Sequence, residues 1–369
     1  MKSTVSVVNH AELVNDYYMG LFHLREDSMQ IPKSAFIRPS DTQMSLPPAE
    51  LSATAARRKR KRETASRRRL ERLEELTLQR KFVPLSDCVR QALRSAFELF
   101  GGSCFVLRDF LPLFEDDDRV SKVLAPLPSI SVQDVSYVHC NETGQVAIAS
   151  VDGTADRFVV LPPGACFAQQ DVRQLGLLGL GRHKLIVMDP PWHNKSVSRG
   201  KRYQTFDHTQ LLEIDVPHIA DLDDCILAVW VTNKPTYMTF LLEQALPAWG
   251  FTFHACWYWL KLAKSGDLVT PLDSTHRLPV ETMVVAYRGK DPEHEQRLRH
   301  RLGEQMRIVL SIPLRHSWKP PPECFFDEDV VSPTDKKIEL FARELRPHWT
   351  SVGNEVLKFQ ASSMFQEYS

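Results

Sequence analysis

Residues 185 to 192 read Leu185-Ile-Val-Met-Asp-Pro-Pro-Trp192, and this stretch decides how the rest of the chain is interpreted. Leu185 to Met188 form a short apolar run that predicts a buried strand. The run stops at Asp189, because Pro190 and Pro191 can neither donate to a ladder nor continue a helix. A carboxylate, a rigid diproline and an indole are thus delivered together at the C-terminal edge of a sheet, where open α/β sheets place ligands.

Working outward, strand-like runs recur at Cys225 to Val231, Phe251 to Leu262, Thr282 to Tyr287 and Arg307 to Ser311. Helical patterns lie at Thr236 to Ala248 and Lys336 to Leu345. A near-continuous apolar strand such as Cys225 to Val231 belongs in a sheet covered on both faces. The predicted architecture is therefore a single doubly wound α/β domain over residues 163–361, with 362–369 as a tail. Before it, residues 81–162 predict a small mixed α+β region. Val83 to Leu99 is amphipathic, with Ser86 as a candidate N-cap and Gly101-Gly102 as the stop. Val146 to Val151 and Arg157 to Leu161 predict a hairpin, and Pro162-Pro163-Gly164 marks the boundary. Residues 1–56 are expected to be partly ordered. Residues 57–80 open with Arg57, Arg58, Lys59, Arg60, Lys61 and Arg62, cations that repel each other and must be solvated or bound to an anion. Leucines at near-helical spacing follow, so a solvated helix face competes with a nuclear import signal or nucleic-acid tether.

Lys plus Arg and Asp plus Glu both total 46 in 369 residues, so net charge selects no partner, and only the N-terminal basic block does. Seven scattered cysteines without a CxxC pair predict reduced intracellular thiols. No apolar run reaches the roughly 18 to 20 residues of a membrane span, and no signal-peptide core is expected at the N-terminus. Histidines in no metal-ligand pattern predict no metal site, and no GxSxG or Cys/His signature predicts a covalent nucleophile. Gly176, Gly179 and Gly181 precede the Leu185 strand rather than following one, so they predict a turn and not a dinucleotide loop.

Asp189 to Trp192 meets a specific chemical need. The lone pair of an exocyclic amine on a nucleobase is delocalised into the ring and attacks an electrophile poorly. Two acceptors on its N–H groups would draw that lone pair out, and Asp189 offers a carboxylate while Pro190 offers a carbonyl with no competing N–H. Trp192 offers a face for the base, a contact typically worth about 1 to 3 kcal/mol. A strand that merely ends in a polyproline turn with an Asp cap fits the same residues.

The tetrad, followed by Tyr203 and by Trp230-Val-Thr-Asn233, resembles the amino-methyltransferases built on an Asp-Pro-Pro-Trp signature. More narrowly it is similar to the MT-A type family of the mRNA-adenosine methyltransferase catalytic subunit, in its methyltransferase-like protein four branch. Supporting stretches are Trp257-Tyr-Trp-Leu-Lys261, His316-Ser-Trp-Lys-Pro320, Ile338 to Arg343 and Trp349 to Phe359. The resemblance implies a Rossmann-like methyltransferase domain of the permuted amino-methyltransferase type, with S-adenosyl-L-methionine as methyl donor and adenine N6 as acceptor. It implies Asp189, Pro190, Pro191 and Trp192 as catalytic residues. It also implies Asp171, Val172, Asp189, Lys319, Arg343, Asn354 and Glu355 as the donor site, and Trp192, Tyr203, Trp259, Lys261 and Glu281 on the acceptor side; Arg57 to Arg62 is a further candidate nucleic-acid contact on its charge alone. The acceptors it implies are 2′-O-methyladenosine of small nuclear RNA and DNA adenine, handled by an enzyme that works alone in the nucleus, with the cytosol as a second compartment. Two departures stand out: Glu344-Leu345 replaces the family's His-Asn pair in a shorter loop, and Asn354-Glu355 replaces Asn-Gln. The rival reading is a non-catalytic nucleic-acid-binding scaffold that activates a methyltransferase partner. The family's scaffolding partner has lost the tetrad, which is intact here.

Overall fold

The computed structural model describes residues 3–31, 85–100, 127–151, 158–192, 207–274, 278–304 and 306–367. Arg57 to Arg62, Tyr203 and the 152–157 turn lie outside them. The strands are β1 (Ser3–Val7), β2 (Phe22–Leu24), β3 (Ser129–Val132), β4 (His139–Cys140) and β5 (Ala147–Val151). There follow β6 (Phe158–Leu161), β7 (Cys166–Ala168), β8 (Leu185–Met188), β9 (Asp224–Val231) and β10 (Thr252–Lys261). The last are β11 (Val280–Gly289), β12 (Met306–Ser311), β13 (Lys337–Leu340), β14 (Trp349–Val352) and β15 (Phe365–Glu367).

Among the described residues one sheet runs β1-β12-β10-β11-β9-β8-β13-β14-β7-β4. It is parallel except where β11 and β4 enter antiparallel. β8 sits at the reversal of chain order: the chain passes from it to β9 on one side, and β13 later inserts on the other. That is the topological switch point, where a crevice opens outside the strands' carboxyl ends. The α/β, Rossmann-like architecture expected from the sequence is the one found.

The alternation of strand residues explains the two core layers. Ile186, Met188, Leu227, Val229, Ile338 and Leu340 pack one face with the helical stretch that begins at Pro235–Phe240. Leu185, Val187, Ile226, Ala228, Trp230 and Trp349 pack the other. All four residues of β8 are buried, and each large apolar side chain removed from water contributes about 1.5–3 kcal/mol. The helical stretch from Pro235 ends at Gly250, which closes it in the left-handed conformation at φ 73°.

Several sequence expectations are corrected. Lys336 to Leu345, predicted helical, contains β13, an interior parallel strand whose four residues are all buried, polar ones included. A short buried strand and a helix segment cannot be separated by apolar spacing alone. The mixed region 81–162 is not one separate unit, and residues 3–31 do more than precede it. Ser3–Val7 adds the edge strand beside β12, and the helix Asp87–Phe100, with Ser86 Oγ accepting from Val89 N, packs Leu93 and Ala96 against Leu260 and Leu310. The β3-β5-β6 sheet, which includes the predicted hairpin strands, packs instead on Ala342, Leu345 and Val356. The expected tail also contributes structure, since β15 pairs with β2. Cys140 and Cys166, read as free thiols, are joined in a disulfide, because β4 and β7 place them directly opposite each other. Sequence spacing could not show that pairing. Of the glycines before β8, Gly179 lies in a turn as predicted and Gly181 follows it, both at positive φ, whereas Gly176 lies within the 3-10 helix Val172–Leu177. Among the described residues no helix is long and apolar enough to cross a membrane.

Candidate active site

Asp189 follows the last residue of β8, and its N–H reaches the Leu340 carbonyl of neighbouring β13 at 3.4 Å. Its side chain is buried yet engaged on both oxygens, with one acceptor site of about four left on Oδ1. Lys319 Nζ donates to both carboxylate oxygens at 3.0 Å, and Arg343 Nη1 donates to Oδ2 at 2.7 Å. Lys319 also lies 3.0 Å from Glu281 Oε2, and Glu281 pairs directly with Lys261. On the other side Arg343 Nε donates to Glu355 Oε2 at 3.2 Å, and Lys358 holds Glu355 at 2.9 Å. The result is a continuous row of alternating charge, Lys261, Glu281, Lys319, Asp189, Arg343, Glu355 and Lys358, along the sheet's C-terminal edge.

Charge alternation makes burial tolerable here. Desolvation alone would raise the Glu281 carboxyl, but Lys261 and Lys319 overcome it and hold it well below the usual carboxylate range. Burial would lower the Lys319 ammonium, and Asp189 and Glu281 instead hold it above the ordinary lysine value. The same opposition, burial against Asp189 and Glu355, keeps Arg343 raised. Glu355, pushed up by burial, is brought below its ordinary value by Lys358 and Arg343.

The loop that carries Lys319 is fixed from behind. Ser317 adopts a left-handed φ of 67°, and Trp318 stacks flat on Phe359, ring centroids 4.2 Å apart at 3°. His10 of the helix His10–Asp16 meets Trp318 edge-on at 6.1 Å, and burial lowers its pKa to about 3, so this imidazole is neutral. A second buried unit lies beneath the site. Arg346, 2% exposed, pairs with Glu339 of β13 and, at 2.9 Å, with Glu344. Phe341, just past β13, is held at φ 59°, a strained conformation for a residue with a side chain.

Trp192 is anchored more than it is presented. Its indole N–H donates to the Trp230 carbonyl at 2.7 Å, and one ring face stacks on Tyr237 at 4.8 Å and 28°. That leaves at most the opposite face for a base. The Pro190 carbonyl accepts the Trp192 N–H at 2.8 Å, so one of its two lone pairs remains for another donor.

Asp171 and Val172 lie just beyond β7, and Ala168 of that strand accepts the N–H of Gly353 beside Asn354. The two predicted donor-binding stretches therefore meet at one edge. Asp171 caps the turn Val172–Leu177 and is gripped by Arg173, whose hydrogen bonds hold its carboxyl below the ordinary value. Val172 is buried and Asn354 exposed. Trp259 departs from its expected acceptor-side place. It is 2% exposed, its N–H donates to Ser311 Oγ at 2.7 Å, and it serves as the floor beneath Lys261. The strand alternation Trp257, Trp259, Lys261 contains that signal, since Trp257, two residues earlier on the same face, is buried too. Lys358, Tyr237, Trp318 and Arg346 were not singled out from sequence. Lys358 stands three residues after Glu355, a spacing that brings side chains together on a turn, whereas Arg346 carries no sequence mark of its partners.

The MT-A70 family model matches residues 183–355, the span holding the tetrad and the whole charge row except Lys358. Over these residues the chain is similar to the MT-A70 family. Several named proteins are similar over part of the chain. The chain is 38% identical over 212 residues to the mouse N(6)-adenine-specific methyltransferase METTL4, covering 56% of this chain and 45% of that protein. It is 31% identical over 243 residues to the N6-methyladenosine RNA methyltransferase MTA1 of Pyricularia oryzae, 63% of each chain. It is 31% identical over 235 residues to a DNA N6-methyl methyltransferase of Caenorhabditis elegans, 62% of this chain and 61% of that one. The chain thus spans less than half the length of the mouse relative. Those names include RNA and DNA methyltransferases.

Proposed function

We propose that this chain transfers a methyl group from S-adenosyl-L-methionine to N6 of adenine in a nucleic acid. The observation that carries the reading is the position of Asp189: at the switch-point edge, between two partly buried cations, beside a Pro190 carbonyl with acceptor capacity left.

The residues present suit the donor. A zwitterionic amino-acid end requires a cation and a carboxylate side by side, as in Lys319, Arg343 and Asp189, while ribose hydroxyls suit Glu355 and Asn354. Asp171 and Val172 are assigned to the adenine end. When bound, the donor supplies a methyl group on a sulfonium, which is already a good leaving group. The chain's own contribution is placement and polarisation. Asp189 and Pro190 accept the two N6 hydrogens and direct the amine's lone pair out of the ring. Lys319 and Arg343 hold the Asp189 carboxylate in place. The proton that N6 sheds after methylation passes from the Asp189 side to solvent. To reach this edge the base must be unstacked, so a single strand, an end, a bulge or a flipped base is the substrate form.

Adenosine of small nuclear RNA bearing a 2′-O-methyl, and DNA adenine, are the two acceptors within this proposal, and a nuclear site of action through Arg57 to Arg62 belongs to it. The test is radiolabelled methyl transfer to matched RNA and DNA oligonucleotides, with and without a 2′-O-methyl on the target adenosine. Label on N6 supports the reading and ranks the acceptors. Donor binding without transfer to any of them moves the reading to the scaffold alternative.

A further inference from the structure

Four cations ring the tetrad, and each is matched by a carboxylate: Lys261 by Glu281, Lys319 by Asp189 and Glu281, Arg343 by Asp189 and Glu355, Lys358 by Glu355. Lys234 is different. It follows β9 at the same carboxyl-end edge of the sheet, is exposed, and among the described residues pairs with no carboxylate. Its ammonium is nevertheless held in one place. Nζ donates to Tyr237 Oη at 3.1 Å and lies 4.4 Å from the centroid of that ring. Tyr237 in turn stacks on Trp192 at 4.8 Å, and His208 braces it from the side at 5.3 Å.

A lysine on an open surface ordinarily samples many rotamers, and fixing it costs side-chain entropy. Here an aromatic column that starts in the tetrad does the fixing and leaves the charge unspent and facing water. An uncompensated, oriented point cation is what a phosphodiester recognises. The ammonium stands two ring contacts beyond Trp192, outside the space a single target base would fill, so the group it meets belongs to a neighbouring nucleotide.

We infer that Lys234 binds a backbone phosphate of the acceptor strand flanking the target adenine, and that Tyr237 couples this phosphate position to the tetrad through Trp192. This rests on the proposal that the acceptor is a nucleic-acid strand. Phosphate contacts fix register without reading sequence, so Lys234 sets where the strand lies and not which bases flank the target.

The test measures binding separately from methylation. Fluorescence anisotropy of the full chain with labelled single-stranded RNA and DNA oligonucleotides is followed across a salt series, for the wild type, Lys234→Ala and Lys234→Arg. Loss of one phosphate contact predicts that Lys234→Ala weakens binding about equally across sequences and lowers the salt slope by about 0.7 on a single strand. Lys234→Arg keeps the slope. In the wild type, one methylphosphonate at the contacted phosphate reproduces the loss, and in Lys234→Ala it adds nothing. Where methylation is measured, KM rises and kcat holds. An unchanged affinity and slope in Lys234→Ala overturns the inference, as does a wild type that binds neither oligonucleotide. A wild type that binds with this Lys234 dependence but methylates no acceptor supports the phosphate position while sinking the methyltransferase reading.

Discussion

Lys319 Nζ lies 3.0 Å from both carboxylate oxygens of Asp189, although 130 residues separate them in the chain. The contact closes the edge of the sheet: Asp189 comes from the end of β8, Lys319 from the loop beyond β12, and Glu281 of β11 joins them. Asp189→Asn keeps the shape and removes the charge that accepts one of the N6 hydrogens. Losing one such preorganised electrostatic contact lowers kcat by about 10²- to 10³-fold. Lys319 and Arg343 retain Glu281 and Glu355 as counter-ions, so donor affinity, read by calorimetry, changes by less than about ten-fold. A variant that methylates adenine at the wild-type rate sinks the proposed role of Asp189.

Glu281 joins two ammonium groups, and Glu281→Gln leaves both without the shared charge. Because burial is already offset in the wild type, the loss is expected to cost about 1–3 kcal/mol and to loosen Lys319. The pH dependence has a definite sign. The folded-state pKa of Glu281 is held far below its ordinary value of 4.5. Its contribution is therefore complete above that value and is lost as pH falls below it. Thermal melts from neutral to acid pH should show the wild type losing more stability below the ordinary carboxylate range than Glu281→Gln does.

Much of this site was legible because its residues announce themselves locally. Four apolar residues followed by Asp-Pro-Pro-Trp can hardly be anything but a strand end, and the charged residues that serve it lie in distinctive aromatic stretches. What escaped is what depends on distance. Lys336 to Leu345 reads as helical because Ile338, Phe341 and Leu345 recur at three- and four-residue spacing, and only neighbours β8 and β14 make Lys337–Leu340 a strand. Cys140 and Cys166 meet only through strand pairing. The resemblance implies an acceptor-side Trp259, and its register on β10 puts it in the core instead. His10 touches Trp318 across more than 300 residues of chain, which no local pattern records.

Burial gives Glu344 the opposite pH behaviour. Its carboxyl is pushed up to about 7 despite Arg346, a guanidinium it shares with Glu339. The unfolded chain releases this proton near 4.5, so the folded state is favoured below that value and the advantage is lost as pH rises through about 7. Glu344→Gln should flatten that decline, giving melting temperatures that converge with the wild type in mild acid and exceed it by a few degrees above pH 7. The reverse order, with the variant falling faster at high pH, would mean that Glu344 is folded as an ionised partner of Arg346.

Gly353 marks where β13 and β14 deliver their ends to the donor side of the site. A Cβ there would come within 2.8 Å of the Ala342 backbone N and 3.0 Å of its carbonyl oxygen, atoms that cannot swing aside as a side chain can. Gly353→Ala therefore pushes apart the segment bearing Arg343 and the segment bearing Asn354 and Glu355. Overpacking of this kind costs about 1–3 kcal/mol, and the displaced pair should raise KM for the donor more than it lowers kcat. Gly164→Ala is the matched control. Its added Cβ would meet the His348 ring at 2.3 Å with φ at +64°, so it too destabilises, but at the start of β7, away from the tetrad. Denaturant midpoints and donor titrations on the two variants separate strain as such from strain at the site. A Gly353→Ala protein with wild-type donor KM would show that the ends of β13 and β14 do not hold the donor.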